Sequence, residues 1–249
     1  MTVAPRYITE TDADGPSFSV CALVQSQDRY DRLLASFDRL GFTQETTEFL
    51  AADNRNGNRF DGYSWQRALL AQARGRYVIF CHDDIELIAQ GQTDLLSALD
   101  DLTALDPTWR LAGIAGGRFR PATHTRLMLT FRISDLYGEN RQRGATPGKV
   151  ETLDECFIVM RRSHPVLGST DLSGFHFYGP DLCLQAELQG GSAYAIDFPL
   201  RHHGRGTKGE SFADCRDRFI AKYSRIYPGR WLHCTTGLIQ LGTDSGDKV

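Results

Sequence analysis

The sequence predicts an α/β fold with a mixed, mostly parallel central sheet flanked by helices. Between residues 19 and 117, apolar segments of strand length alternate with longer segments whose apolar residues recur at helical spacing. Strands that alternate with helices in this way form parallel sheets with crossover connections. Hydrophobic residues make up 41% of the 249 residues, which is enough for a packed core.

The first half of the chain contains four predicted strands and three predicted helices. The first helix places Tyr30, Leu33, Phe37 and Leu40 on one face and is followed by Gly41, a common helix stop. Leu34 extends that face, so the helix is expected to pack on the sheet. The strands are expected at residues 19–26, 47–54, 76–84 and 109–117, and the helices at 28–42, 61–75 and 93–105.

The pattern changes after residue 117, where strands follow one another without long helices between them. The chain shows no linker, internal repeat or low-complexity tract, so one domain over residues 1–249 is expected, with an ordered core at about 17–241. The strands of this half are expected at residues 125–134, 150–163 and 192–204, and the helices at 179–191 and 211–228.

Composition narrows the classes of partner and location. The net charge of -3 gives no overall attraction to nucleic acid or to anionic membranes. No apolar stretch approaches the roughly 20 residues of a membrane span, and the first residues lack a secretory signal. The six cysteines form no CxxC pair, which favours reduced core thiols and a cytoplasmic location.

The usual glycine-rich phosphate-binding motifs are absent from the sequence. No GxGxxG follows the first predicted strand, and no GxxxxGK[ST] occurs, which disfavours dinucleotide and P-loop sites. The glycine-rich segment "AGIAGGRFR", residues 112–120, overlaps the fourth predicted strand and has the wrong spacing for these motifs. We interpret it as a close approach of backbones rather than as a phosphate cradle.

An acidic cluster follows the third predicted strand, where His82, Asp83, Asp84 and Glu86 come directly after an apolar run. In a parallel sheet this position is the carboxyl edge, where open α/β sheets bind ligands. Carboxylates suit Mg²⁺ or Mn²⁺, and such an ion can neutralise a diphosphate leaving group. The alternative is a solvated loop in which Asp83 or Asp84 caps the next turn.

A second polar group follows the strand predicted at residues 192–204. His202 and His203 are flanked by Arg201, Arg205 and Lys208. An imidazole can complete a metal shell, and the cations can hold phosphates. The alternative is a surface loop with incidental histidines, and a lone pair of histidines favours that interpretation.

Asp181 lies in the first turn of the helix predicted at residues 179–191, just after Pro180. A carboxylate there interacts favourably with the helix dipole. That structural role is the favoured interpretation when the residue is considered alone.

The order of these segments carries a family resemblance. A strand ends in Asp53-Asn54, and "YVIFCHDDI", "GIAGG", "LDECFIVMRRS", "FHFYGPDLCLQA" and "PLRHHGRGT" follow in turn. From about residue 18 to about residue 225, the sequence resembles a family 2 glycosyltransferase of the GT-A fold. Within that family it is most similar to the branch grouped with a streptomycin-biosynthesis protein.

The resemblance implies a nucleotide-sugar donor and a divalent cation, Mn²⁺ or Mg²⁺. By position, Asp53 would contact the nucleotide base, with Asn54 beside it. Asp84, with Asp83, matches the metal-binding motif, which is D-x-D in the family and His82-Asp83-Asp84 here. By the same resemblance, the metal shell would gain one late histidine, His202 or His203. The diphosphate would meet the metal at this point, with Arg205 or Lys208 nearby.

The resemblance also implies transfer of a sugar to an acceptor hydroxyl, with Asp181 as the base that removes the proton. A free aspartate has a pKa near 3.9, so it is ionised at neutral pH. Direct attack would invert the anomeric configuration, although a retaining outcome stays open. The acceptor side is expected at residues 118–148.

Two other functions remain as alternatives. A nucleotidyltransferase would carry a glycine-rich loop after the first strand, but the segment "VQSQDRYDR" contains no glycine. A sugar-nucleotide-binding relative without catalysis would keep the same segments. Donor hydrolysis without an added acceptor separates this second alternative from an active transferase.

Overall fold

The first half of the chain alternates between strands and helices as predicted. The computed structural model describes residues 15–120, 125–130, 132–204 and 210–242. The elements up to the fifth strand are β1 (Phe18–Val24), α1 (Gln27–Arg39), β2 (Thr47–Asp53), α2 (Ser64–Leu70), β3 (Tyr77–His82), β4 (Ile85–Leu87), α3 (Gln92–Leu105) and β5 (Trp109–Gly113).

The second half contains more and shorter strands than the sequence predicts. Its two predicted helices are present as α4 (Tyr178–Leu188) and α5 (Glu210–Ser224). Its strands are β6 (Ala115–Arg120), β7 (Thr125–Thr130), β8 (Ile133–Asp135), β9 (Gly138–Arg141), β10 (Gly148–Val150), β11 (Thr152–Leu153), β12 (Phe157–Arg161), β13 (Ser192–Ala195), β14 (Leu200–His202), β15 (Trp231–Cys234) and β16 (Gly237–Gln240).

The central sheet has seven strands in the order β10-β13-β5-β12-β3-β1-β2. β1 pairs in parallel with β2 and β3, and β13 pairs in parallel with β5. β12 lies antiparallel between β3 and β5, and β10 is antiparallel to β13. The prediction of a mixed, mostly parallel sheet flanked by helices is therefore confirmed.

Side chains of β3 alternate between the two faces of this sheet, because successive residues of a strand point in opposite directions. Tyr77, Ile79 and Cys81 belong to the core cluster that includes the buried faces of α1 and α3. Val78 and Phe80 belong to the cluster on the other face, which includes residues of α2 and α4. With both faces covered, the polar residues that follow β3 are confined to the end of the strand.

A small second sheet brings His202 to the candidate site. Its strand order is β4-β14-β8-β9, and β14 pairs antiparallel with β4. In this register His202 is opposite Ile85, three residues after the end of β3. The pairing therefore carries a residue from late in the chain to the carboxyl edge of the central sheet.

The predicted strand at residues 109–117 is two strands. β5 ends at Gly113, and β6 belongs to a separate three-stranded sheet with β11 and β7. A Cβ at Gly117 would lie 1.7 Å from the carbonyl oxygen of His233. The close approach of backbones predicted for this glycine-rich segment is thus present, and it packs β6 against β15.

All six cysteines are buried as free thiols, as expected for core residues. None of the described helices combines the length and the apolar character that crossing a bilayer requires. The single domain expected over residues 1–249 stays a prediction.

Candidate active site

Two imidazoles and one carboxylate converge at the end of β3. Nδ1 of His82 lies 3.4 Å from Nε2 of His202. Oδ1 of Asp84 lies 3.4 Å from that same Nε2 and 3.9 Å from Nδ1 of His82. One ligand atom from each residue falls within 4.8 Å of the other two, which is close enough to share a metal ion.

The local backbone explains why these three residues meet. His82 ends β3, and Asp84 is two residues further along the chain. Asp83 and Asp84 form a turn after this strand, and the turn brings the Asp84 carboxylate beside the His82 ring. The backbone N–H of His203 donates to the carbonyl of Asp84 over 3.0 Å, which fixes β14 and His202 against this turn.

The chemistry of this group fits a divalent cation. Oδ1 of Asp84 is buried and makes no well-formed hydrogen bond with the described residues. Gly204 leaves space beside it, since a Cβ there would lie 2.5 Å from Oδ2 of Asp84 and 3.0 Å from Nε2 of His202. Carboxylate oxygens and imidazole nitrogens are common ligands of first-row divalent metals.

The pKa shifts of Asp84 and His82 suit metal binding, whereas the shift of His202 favours its protonated form. Burial raises the pKa of Asp84, but contact with His202 and the charges of both imidazoles and Arg29 lower it to about 2. Burial, and then the proximity of His202, lower the pKa of His82 and favour its neutral form. Burial also opposes the charged form of His202, but Asp84 outweighs it and raises the pKa of this imidazole.

Arg29 in the first turn of α1 is a functional candidate that the sequence analysis did not identify. Its guanidinium lies 3.2 Å from Oδ1 of Asp83 and 4.0 Å from Oδ2 of Asp84. Its Nε is buried and finds no hydrogen-bond partner in the described part of the chain. This cation therefore faces the same end of the sheet as the candidate metal ligands.

Two residues predicted as metal ligands lie outside the convergent group. Oδ2 of Asp83 accepts the backbone N–H groups of Gln25 and Ser26 over 2.7 and 3.0 Å, so this carboxylate holds the start of α1. His203 lies 3.0 Å from Oε1 of Glu86 on the surface.

The two residues predicted to contact the nucleotide have different surroundings. Asp53 ends β2 with 37% of its side chain exposed, and its carboxylate pairs with Arg55 over 2.9 Å. The Arg55 hydrogen bonds lower the pKa of Asp53 to about 2. Asn54 is buried, and its amide forms hydrogen bonds with the backbone of Arg59 and Phe60, so its side chain shapes the loop.

Asp181 lies in the interior, with none of its surface exposed. Its carboxylate accepts hydrogen bonds from the backbone N–H of Ser169 over 2.8 Å, from the Ser169 hydroxyl over 2.5 Å and from the Tyr223 hydroxyl over 2.6 Å. Burial raises the pKa of Asp181, although these bonds oppose the rise. The predicted phosphate-binding residues Arg205 and Lys208 fall outside the described residues.

A second carboxylate near the start of α4 is partly accessible. Oε1 of Glu155 accepts the backbone N–H of Gly179 over 3.4 Å. A Cβ at position 179 would lie 3.0 Å from Cγ of Glu155 and 2.6 Å from the carbonyl of Leu153, so only glycine leaves room for this side chain. Burial, and then the charge of Asp154, raise the pKa of Glu155 to about 8.

The participation of His82 has a recognisable signal in the sequence. His82 and Asp84 have the i, i+2 spacing that puts two ligands on one side of an extended chain. In the alignment with the D-x-D motif, His82 and Asp84 take the first and third positions. Asp154 and Glu155 are the next candidate bases in the sequence after Asp181, whereas no local pattern marks Arg29, because its position depends on how α1 packs on the sheet.

Comparison with known sequences identifies a relative that matches nearly the whole chain. No protein-family model matches the chain. A protein of Fuscovulum blasticum named "ATP synthase subunits region ORF 6" is 52% identical over 242 residues, covering 97% of each chain.

Solved structures give the fold. S. aureus TarS residues 1–349 in complex with UDP-GlcNAc matches 85% of this chain and 67% of its own, with a TM-score of 0.55 and 13% identity. GalNAc-T7 with UDP, GalNAc and Mn²⁺ matches 88% of this chain with a TM-score of 0.53 and 11% identity, and the match spans 49% of GalNAc-T7. A longer S. aureus TarS structure is matched over 40% of its length, with a TM-score of 0.52. The fold is therefore GT-A, as predicted.

Proposed function

The chain belongs to the family of the Fuscovulum blasticum ORF 6 protein, and we propose that it is a metal-dependent glycosyltransferase that uses a nucleotide-sugar donor. The observation that carries this proposal is the convergence of His82, Asp84 and His202 at the carboxyl edge of a GT-A sheet. The structures of TarS with UDP-GlcNAc and of GalNAc-T7 with UDP and Mn²⁺ support it at the level of the fold.

His82, Asp84 and His202 would hold the cation. When bound there, Mn²⁺ or Mg²⁺ supplies positive charge that neutralises the diphosphate leaving group. Asp84 would contribute an ionised carboxylate and His82 a neutral imidazole, and His202 would release its proton when the cation binds. Gly204 keeps the adjacent space open.

Arg29 and Asp53 would bind the two ends of the nucleotide. Arg29 lies within 4.0 Å of Asp84 and has an unpaired buried Nε within the described structure, which suits a phosphate oxygen. Asp53 ends β2 at the same edge of the sheet and remains the proposed contact of the nucleoside. Arg205 and Lys208 remain proposed contacts of the diphosphate.

The acceptor's proton has two candidate bases. Asp181 is the sequence-based candidate, and its buried carboxylate already accepts three hydrogen bonds. Two observations support Glu155 instead. Its side chain is only partly buried, and its pKa of about 8 is better matched to general base catalysis than that of a free carboxylate.

The acceptor would approach from the side of the β8–β9 hairpin. β8 pairs in parallel with β14, so this hairpin lies next to the strand that carries His202. The hairpin falls within residues 118–148, where the sequence predicts the acceptor side. Tyr137 near its turn is 78% exposed and offers an aromatic surface on which a sugar ring can stack.

The finer classification follows from the sequence motifs alone. We place the chain in glycosyltransferase family 2, in the branch grouped with a streptomycin-biosynthesis protein. An inverting reaction is proposed, in which the acceptor oxygen attacks the anomeric carbon as the base takes its proton and the nucleoside diphosphate leaves.

Donor hydrolysis tests this function without knowledge of the acceptor. The protein is incubated with a panel of UDP- and GDP-sugars, and release of nucleoside diphosphate is measured with Mn²⁺ and with a chelator. We expect Mn²⁺-dependent release from at least one donor and its loss in Asp84→Asn. Metal-dependent binding without release would favour the non-catalytic alternative, and neither binding nor release would contradict the proposal.

A further inference from the structure

Tyr178 contacts His82, the candidate metal ligand at the end of β3. Its hydroxyl lies 2.8 Å from Nε2 of His82. The other ring nitrogen, Nδ1, faces Asp84 and His202. Tyr178 is only 4% exposed and lies in the first turn of α4, so the hydroxyl is held in place by the packing of that helix.

The direction of this hydrogen bond decides whether His82 can bind a metal. A neutral imidazole carries one N–H and one lone pair, and only the nitrogen with the lone pair can be a ligand. If Nε2 donates to the Tyr178 hydroxyl, then Nδ1 presents its lone pair to Asp84 and His202. If the hydroxyl donates to Nε2, then Nδ1 carries the proton and cannot be a ligand.

The surroundings of the hydroxyl favour the first arrangement. The carbonyl oxygen of Glu155 lies 3.5 Å from the Tyr178 oxygen and is an acceptor only. The hydroxyl can therefore donate to this carbonyl while it accepts from Nε2 of His82. The imidazole thus donates to the hydroxyl and the hydroxyl donates to the backbone. Nδ1 then carries no proton, and its lone pair faces Asp84 and His202.

We propose that Tyr178 is a positioning residue of the metal centre, because its hydroxyl fixes both the ring orientation of His82 and the tautomer with its proton on Nε2. Partners of this kind typically change metal affinity 10–100-fold when they are removed. The inference rests on the metal ligands of the proposed function. It adds that the first turn of α4 is part of the metal centre.

Manganese affinity of Tyr178→Phe tests the inference. Metal-free Tyr178→Phe is titrated with MnCl₂ in a calorimeter. Its manganese affinity should be about 10–100-fold weaker than that of the parent protein. Tyr63→Phe is the matched control, because Tyr63 is also buried, packs edge-on against Tyr178, and donates its hydroxyl to the His176 carbonyl over 3.0 Å. Tyr63→Phe should leave manganese affinity unchanged.

A second measurement does not depend on the folding of Tyr178→Phe. Nitrogen-15 spectra of the histidine side chains in the metal-free parent protein report which ring nitrogen carries the proton, and the His82 signals are assigned by their absence from His82→Asn. We expect the proton on Nε2. A proton on Nδ1 would overturn the inference.

The titrations also separate this inference from the proposed function. If the parent protein binds Mn²⁺ and Tyr178→Phe binds it equally well, the role of Tyr178 is wrong and the metal centre stands. If the parent protein binds no Mn²⁺, both are wrong. Weaker binding by Tyr178→Phe with unchanged binding by Tyr63→Phe supports the inference.

Discussion

Residues in the candidate site divide according to the side of the chain on which they lie. His82 and Asp84 are two positions apart and converge with His202, whereas Asp83 between them turns to the start of α1. The turn at residues 83–84 thus separates three consecutive polar residues into two proposed ligands and one residue that holds α1. Gly204 has no side chain, so it leaves the space beside the Asp84 carboxylate open.

Gly204→Ala should impair metal binding. The added Cβ would lie 2.5 Å from Oδ2 of Asp84 and 3.0 Å from Nε2 of His202, so these two proposed ligands must shift. We expect manganese affinity to fall at least about tenfold, which corresponds to about 1.4 kcal/mol. Gly168→Ala is the control, because a Cβ there meets its nearest neighbour at an ordinary 3.6 Å. Equal loss in both variants would contradict this account of the site.

Glu155→Gln and Asp181→Asn should separate the two candidate bases. If Glu155 is the base, Glu155→Gln should slow donor hydrolysis about 10² to 10⁴-fold, with little change in donor affinity. Asp181→Asn should then reduce thermal stability and keep most of the turnover, because its carboxylate accepts three buried hydrogen bonds. The reverse pattern would identify Asp181 as the base.

The pH profile of the parent protein gives an independent test of Glu155. Its pKa is raised to about 8, mainly by burial, so below that pH the carboxyl is protonated and cannot accept a proton. The rate of donor hydrolysis should therefore rise between about pH 6 and about pH 9 if Glu155 acts as the general base. A rate that is flat over this range in the parent protein would contradict that role.

Elements meet at the site in pairs that bring distant parts of the chain together. The antiparallel pairing of β4 and β14 sets His202 beside Asp84, and the first turn of α4 sets Tyr178 against His82. The start of α1 is held by Asp83, which also lies 3.2 Å from Arg29. β3, β14, α4 and α1 therefore contribute His82, His202, Tyr178 and Arg29 respectively. The geometry of the site depends on how these four elements are placed relative to one another.

Asp83→Asn should weaken the attachment of α1 rather than metal binding. The buried carboxylate accepts two backbone N–H groups, and hydrogen bonds to charged groups contribute about 1.5–3 kcal/mol each. We expect the free energy of unfolding, measured in urea, to fall by about 1–3 kcal/mol. Manganese affinity should change far less than in Asp84→Asn. Loss of manganese binding with unchanged stability would return Asp83 to the ligand set.

At the scale of the whole molecule, the sequence predicts the sheet and the place of the site. Short apolar segments that alternate with helical ones are enough to predict the parallel strands β1, β2 and β3, because each signal lies within a short segment. The antiparallel insertion of β12 between β3 and β5 leaves no local trace. Its position depends on pairing between segments far apart in the chain.

The same distinction explains which site residues could be predicted. Asp84 and His202 come at the ends of apolar segments, so the sequence makes them candidates at the sheet edge, although it does not choose between His202 and His203. The burial of Asp181 depends on Ser169 and on Tyr223 of α5, which no pattern around residue 181 indicates. Asn54 likewise follows a strand, but its amide is taken up by the loop that comes after it.

Metal-dependent binding of a nucleoside diphosphate tests the central claim most directly. UDP and GDP are titrated into the parent protein and into Asp84→Asn by calorimetry, with and without Mn²⁺. We predict that Mn²⁺ strengthens binding of at least one nucleotide to the parent protein by at least about tenfold, or about 1.4 kcal/mol, and that Asp84→Asn abolishes this gain. Equal affinity of the two proteins in Mn²⁺, or no binding of either nucleotide to the parent protein, would contradict the account.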